Sequence, residues 1–263
     1  MRLGLILGAL LFFAQICDGI AMPLTGEPSK DPRQLNFQLF ESAKKGRTRD
    51  VLLYLKHGAA IKARDRFGNT ALLLAAFSGR AKTVKVLLEA GSEINHKNIM
   101  GSTALYRAAR NGKSKSVRLL LKAGAKINAL NNKHLSPLIG AAFNGDEDIF
   151  RLLLEHGANT EVVDTSGKSA LVYAAGRGFV DIVRAILDTG VDVNKRYGNN
   201  LTALMWAAGH SNDVPPTDAG KTVKLLLERG AQIDLKDNRG KTASAIAADM
   251  GHQQVLHILN QAK

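Results

Sequence analysis

The chain has 263 residues, is 45% hydrophobic but 5% aromatic, and carries a formal charge of +13. Small and branched aliphatic side chains must therefore do most of the packing, which suits close-packed helix pairs. A single cysteine excludes a disulfide-stapled scaffold, and the cationic balance favours acidic partners or anionic surfaces.

The first 21 residues stand apart from the rest: Arg2, an apolar run from Leu3 to Ala14, then small residues at Gly19 and Ala21. This is the layout of a secretory signal peptide cleaved after Ala21. An uncleaved anchor is the rival reading, but about 12 apolar residues reach roughly 18 Å as helix against a hydrocarbon core of about 30 Å. Lipid attachment at Cys17 is disfavoured by Ile16 and Ala14, where a small residue and a leucine are wanted. Cleavage would remove Cys17 and leave an exported chain, periplasmic or secreted, with no membrane span. Residues 22–34 contain Pro23, Pro28 and Pro32 among polar residues and read as an extended tether.

From residue 35 onward the chain repeats. Thr70-Ala71-Leu72, Thr103-Ala104-Leu105, Ser136-Pro137-Leu138, Ser169-Ala170-Leu171 and Thr202-Ala203-Leu204 recur every 33 residues. The units run 35–67, 68–100, 101–133, 134–166, 167–199 and 200–239, closed by a half unit at 240–263. In each, two short runs at helical spacing, such as Ala71 to Phe77 and Val84 to Leu88, flank a glycine such as Gly79. The spacing predicts a helix-turn-helix whose helices are each too short to be stable alone. The opening Thr or Ser is placed to cap the first helix, and pairs such as Ala75-Ala76 and Ala108-Ala109 let neighbouring helices approach. Gly91, Gly124, Gly157, Gly190 and Gly230 suit the left-handed residue that ends the second.

Period, Thr-Ala-Leu opening, alanine pair and both glycines together resemble an ankyrin-repeat protein over residues 35–263. The resemblance implies an all-α solenoid of helix-turn-helix units with short β-hairpin or loop fingers, and recognition of proteins through a concave face. Where the family often has His after the Leu, this chain has Leu73, Tyr106, Ile139, Val172 and Met205. Thr202 to Gly209, Asn212 to Pro215 and Leu225 to Gly230 are similar to exported bacterial members in particular.

Departures from the period mark what is particular. The sixth unit is seven residues longer than its neighbours, and the extra length around His210 to Gly220 is expected to form a loop, because Pro215-Pro216 and Gly220 oppose helix. The first three units carry 20 basic and 5 acidic residues, the third none of the latter, whereas the fourth carries 1 and 6. Arg107 and Arg110 share the first helix of the third unit, and Phe77 and Phe143 share one repeat position just after the alanine pair. Tyr173 and Trp206 read mainly as packing between units. Partner contact is expected at Phe77, Met100, Tyr106, Arg107, Arg110, His134, Phe143, Arg177, His210 and Asp213, in the groove and at the finger tips.

His57 and His156 share one repeat position, none of the seven histidines has a ligand spacing with another, and neither a nucleophile elbow nor a phosphate-binding loop is present. No enzymatic activity, cofactor, metal or nucleic acid is expected; the chain reads as a monomer that binds another protein. An exported enzyme is the expected partner, to be inhibited or protected, with self-protection against a peptidoglycan hydrolase as the concrete form. A secreted effector acting in another cell, an accessory to a stress-defence enzyme, and a surface protein held to anionic polymer remain open.

Overall fold

The computed structural model describes residues 31–209 and 214–262. The expected leader, most of the tether, and both His210 and Asp213 lie outside the described residues. Seven helix pairs follow along the chain: α1 (Pro32–Lys45) and α2 (Thr48–Lys56), α3 (Ala71–Phe77) and α4 (Ala81–Glu89), α5 (Ala104–Arg110) and α6 (Ser114–Lys122), α7 (Pro137–Asn144) and α8 (Glu147–Glu155), α9 (Ala170–Gly176) and α10 (Val180–Leu187), α11 (Ala203–Ala208) and α12 (Pro216–Glu228), α13 (Ala243–Asp249) and α14 (Gln253–Gln261). First helices pack on first helices and second on second, so the chain is a solenoid of two helical layers.

The inner layer exists because its ends are capped and its sides are small. Thr70, Thr103, Ser136, Ser169, Thr202 and Thr242 each accept the N–H three residues on, as in Tyr106 N to Thr103 Oγ1 and Ile139 N to Ser136 Oγ, both 3.2 Å. A two-turn helix leaves most of its backbone donors open, so one satisfied at each start is a large share. The alanine pairs of α3, α5, α7, α9 and α11 are completely buried where those helices meet. The residues standing in place of the usual histidine, Leu73, Tyr106, Ile139, Val172 and Met205, are buried too, so apolar packing takes over from a polar contact.

Outer helices bury one stripe, with residues three apart at Val84/Leu87, Val117/Leu120, Phe150/Leu153, Val183/Ile186 and Val223/Leu226. The turn between the layers is tight. At Gly145, φ is +77° and a Cβ would sit 2.5 Å from Phe179 Cζ, so only glycine lets the fifth unit close on the fourth.

The fingers are turns locked by one side chain. Asp65, Asn98, Asn131, Asp164 and Asp237 recur at one repeat position, and Oδ1 of each accepts the N–H groups two and four residues on at 2.8–3.0 Å. Each finger also bonds to the next, from Ile99 N to Phe67 O (3.1 Å), Asn132 N to Met100 O (3.0 Å) and Thr165 N to Lys133 O (3.1 Å). Ladder pairing among the described residues is limited to the isolated bridges Val163 to Ser169 and Tyr197 to Leu201, so the fingers are loops. Tyr197 occupies the Asx position in the fifth unit, and there the chain takes a 3-10 turn with Asn199 and Asn200 at positive φ.

Two expectations need correction. The tether ends sooner: Asp31 caps α1 through its carboxylate and Pro32 begins the helix, where a proline forfeits no hydrogen bond. The insertion of the sixth unit is not all loop. Pro216 opens α12, which reaches 13 residues against 9 in α8, and Gly220 is a buried helical residue facing Ile258. Proline stops a helix from its interior but starts one well.

Thr103→Val, which keeps shape and removes the cap, is expected to cost about 1 kcal/mol in denaturant unfolding. Phe150→Ala, at a fully buried ring, is expected to cost about 3–5 kcal/mol in the same measurement.

Candidate functional site

The exposed edges of the inner helices and the fingers form a groove, and its central stretch is lined by cations lying on rings. Arg107 of α5 places Cζ 4.2 Å from the ring centre of Phe77 in the preceding unit. Arg110, one turn on, lies 3.8 Å over Phe143 in the following unit, and Arg177 approaches the same ring at 4.8 Å from the far side of that unit. Tyr173 meets Phe143 edge-on, with centroids 5.6 Å apart at 65°. Lys168 then spans Tyr173 (5.7 Å) and Trp206 (4.8 Å). The row crosses five consecutive units.

Five of the expected contact residues therefore come together: Phe77, Arg107, Arg110, Phe143 and Arg177. Tyr106 is largely buried and reaches the groove only as part of the wall of the cleft that Arg110, Phe143 and Tyr173 also line. It follows Leu105 directly on the helix, about 100° round from it, and is 6% exposed. Burial raises its pKa against the opposing pull of Arg110 and Arg107. Met100 and His134 are exposed at finger tips, apart from the row, with Met100 beside exposed Phe67 and Ile99.

Lys168 was not singled out, and Tyr173 and Trp206 were assigned to packing. The signal for Lys168 was its repeat position, directly before the capping Ser169, from which a long side chain crosses to the rings of its own and the next unit.

The electrostatics of the row are one-sided. Arg107, Arg110, Lys133, Lys168 and Arg177 form no ion pair within 4.0 Å among the described residues. Nε of Arg107, Nε of Arg177 and Nε1 of Trp206 are buried without a hydrogen-bond partner. Burial lowers the pKa of Arg107, partly offset by Tyr106 and Asp65. An arginine remains charged there.

The carboxylates closest to the row are engaged elsewhere. Asp65 holds its finger through Phe67 N, Asn69 N and Asn69 Nδ2 at 2.8–2.9 Å. Asp164 Oδ1 accepts from Ser166 N, Ser166 Oγ and Lys168 N, and Oδ2 accepts the Tyr173 hydroxyl at 2.5 Å. Burial alone would raise the pKa of Asp164, but the donation from Tyr173 and the finger N–H groups holds it below the usual range. Burial and Asp164 together push the Tyr173 phenol well above its ordinary value.

Between units three and five the groove deepens into a cleft of about 340 Å³. Ile139, Phe143 and Tyr173 supply apolar wall, and Arg110 and Lys133 supply cations. Among the described residues no cluster of three His, Cys, Asp or Glu side chains is placed to hold a metal ion. No helix among them is long and apolar enough to cross a membrane.

A depressed carboxylate pKa contributes stability that is complete above the unfolded value of about 3.9 and is lost as pH falls through the folded value. Asp164→Asn keeps the turn, as Asn98 and Asn131 do in their own fingers, but loses the charge on the Tyr173 bond. It is expected to be less stable at pH 7 and to show a shallower loss of stability below about pH 4, read from urea unfolding across that range.

Comparison with known proteins accords with this geometry. The family model described as ankyrin repeats (3 copies) matches residues 39–131 and 128–197, and the single ankyrin repeat model matches residues 199–238. Ankyrin repeat domain-containing protein 63 of Mus musculus and of Homo sapiens are each 41% identical over 46 residues, 18% of this chain. The match spans 12% of the length of those relatives. The crystal structure of the human ASB11 ankyrin repeat domain superposes with a TM-score of 0.75 at 28% identity, covering 86% of this chain and 97% of that one. The chain belongs to the ankyrin-repeat family.

Proposed function

We propose that this chain is an exported, non-enzymatic scaffold that docks an exported enzyme in its groove and inhibits or shelters it. The observation that carries the reading is the row of arginines and lysines on aromatic rings, none of which forms an ion pair among the described residues, since Asp65 and Asp164 are engaged by their fingers. Ankyrin repeats are protein-binding scaffolds, and a rigid stack with charge left uncompensated along one face is poised to take an acidic surface. Its cations are already oriented by the rings beneath them, so little side-chain entropy is lost on docking.

Export rests on the amino-terminal pattern of Arg2, the apolar run and Ala21, which also places the partner outside the cytoplasm. The favoured partner is a peptidoglycan-cutting enzyme that the producing cell must restrain.

Affinity capture from the exported fraction with the chain beginning at residue 22 is expected to retain an enzyme whose activity changes on binding. Arg107→Glu with Arg110→Glu is expected to weaken that capture at least tenfold while costing about 1–4 kcal/mol of stability, the worth of two half-buried cation–π contacts. Retention of no exported protein by the wild-type chain, or equal capture by the folded double variant, overturns the reading.

A further inference from the structure

The residues at one repeat position, just before the alanine pair, line the groove in five successive units: Leu74, Arg107, Gly140, Tyr173 and Trp206. Four are large and one is glycine. A Cβ at Gly140 would lie 3.2 Å from Arg110 Cβ and 3.4 Å from Arg110 Cα, so a larger residue there would push α5 and α7 apart by a few tenths of an ångström. The same missing side chain opens the wall of the cleft described above.

Arg110 stands at that opening with one guanidinium face on Phe143. A stacked guanidinium keeps its N–H edge for an acceptor. Asp164, the one acidic residue lining the cleft, has both oxygens occupied. The cleft therefore presents apolar walls beside cations that form no ion pair with its one carboxylate.

We infer that this cleft seats one apolar side chain of an extended acidic segment of the partner, with carboxylates on either side held by the groove arginines. The inference rests on the docking role proposed above and specifies the chemistry of what docks. Charge complementarity selects the occupant. A polyanion without apolar side chains would satisfy the cations and leave the half-buried rings of Phe143 and Tyr173 facing water.

Spacing follows from geometry. Packed helices lie about 8–10 Å apart and an extended chain advances about 3.3 Å per residue, so one unit corresponds to about three residues of partner. With Arg107 in the third unit and Arg177 in the fifth, on either side of the cleft's centre in the fourth, the expected pattern is an acidic residue about three positions on each side of a single Leu, Ile or Phe.

Selection of short random peptides displayed on phage against the full chain tests this without knowledge of the partner. Enrichment of the acidic–apolar–acidic pattern is expected. Arg107→Glu with Arg110→Glu should abolish the acidic preference. Thr165→Trp, which fills the cleft from an exposed finger position, should weaken the selected peptides by about tenfold, or about 1.4 kcal/mol, without moving the unfolding midpoint. Recovery of no peptides, of neutral or basic peptides, or of acidic ones that bind the charge-reversed chain equally, overturns the inference. So does displacement of the peptide by inorganic polyphosphate or oligothymidylate at equal charge concentration. Capture of an exported enzyme equally by wild type and Thr165→Trp overturns the cleft and leaves the docking role standing. Peptide selection with no enzyme captured does the reverse.

Discussion

The close approach of the inner helices at their alanine pairs is the constraint on which the rest of the molecule depends. A helix of seven residues such as α5 closes few internal hydrogen bonds and cannot repay its nucleation. It persists because Ala108 and Ala109 are buried against α3 and α7, and because Thr103 caps its start. A larger residue at either alanine would move three helices at once, since each unit touches only its neighbours and passes displacement along the stack. Burial of small side chains is worth little per residue, so stability accumulates by repetition along the stack.

That spacing also decides which groove residues meet. Arg107 reaches back one unit to Phe77 and Arg110 reaches forward to Phe143, which Arg177 touches from the other side. The acidic fourth unit does not neutralise them. Asp146 caps α8 by accepting from Ile149 N at 3.0 Å, and Glu147 pairs with Arg151 at 2.7 Å, both on the outer layer. Positive charge thus remains in the groove while negative charge serves the outer helices. Two arginines share one ring and neither forms an ion pair with the nearby Asp164, an arrangement that an acidic ligand would relieve.

Much of this could be read in the order of residues. The caps, the alanine pairs and the turn glycines all have local causes, and each recurs at a fixed position. The groove members Phe77, Arg107, Arg110 and Phe143 were legible because helical periodicity puts residues three apart on one face. Tyr106 stands about 100° round the helix from Arg107, so it is mostly covered and contributes only to the wall of the cleft. Lys168 was overlooked because its contacts cross to the rings of its own helix and of the next unit. The proline pair of the sixth unit suggested interruption, whereas α12 uses Pro216 as its first residue.

By itself, then, the sequence determined the repeating unit, its caps and the uneven distribution of charge, since these depend on contacts within about thirty residues, while the half unit expected at 240–263 holds a complete helix pair. Tertiary structure alone decided which cations find rings, that Asp65 and Asp164 are consumed by their fingers, and that Gly140 both admits Arg110 and opens a cleft. Those outcomes depend on distances between units of a few ångströms, and no periodicity within one unit encodes them.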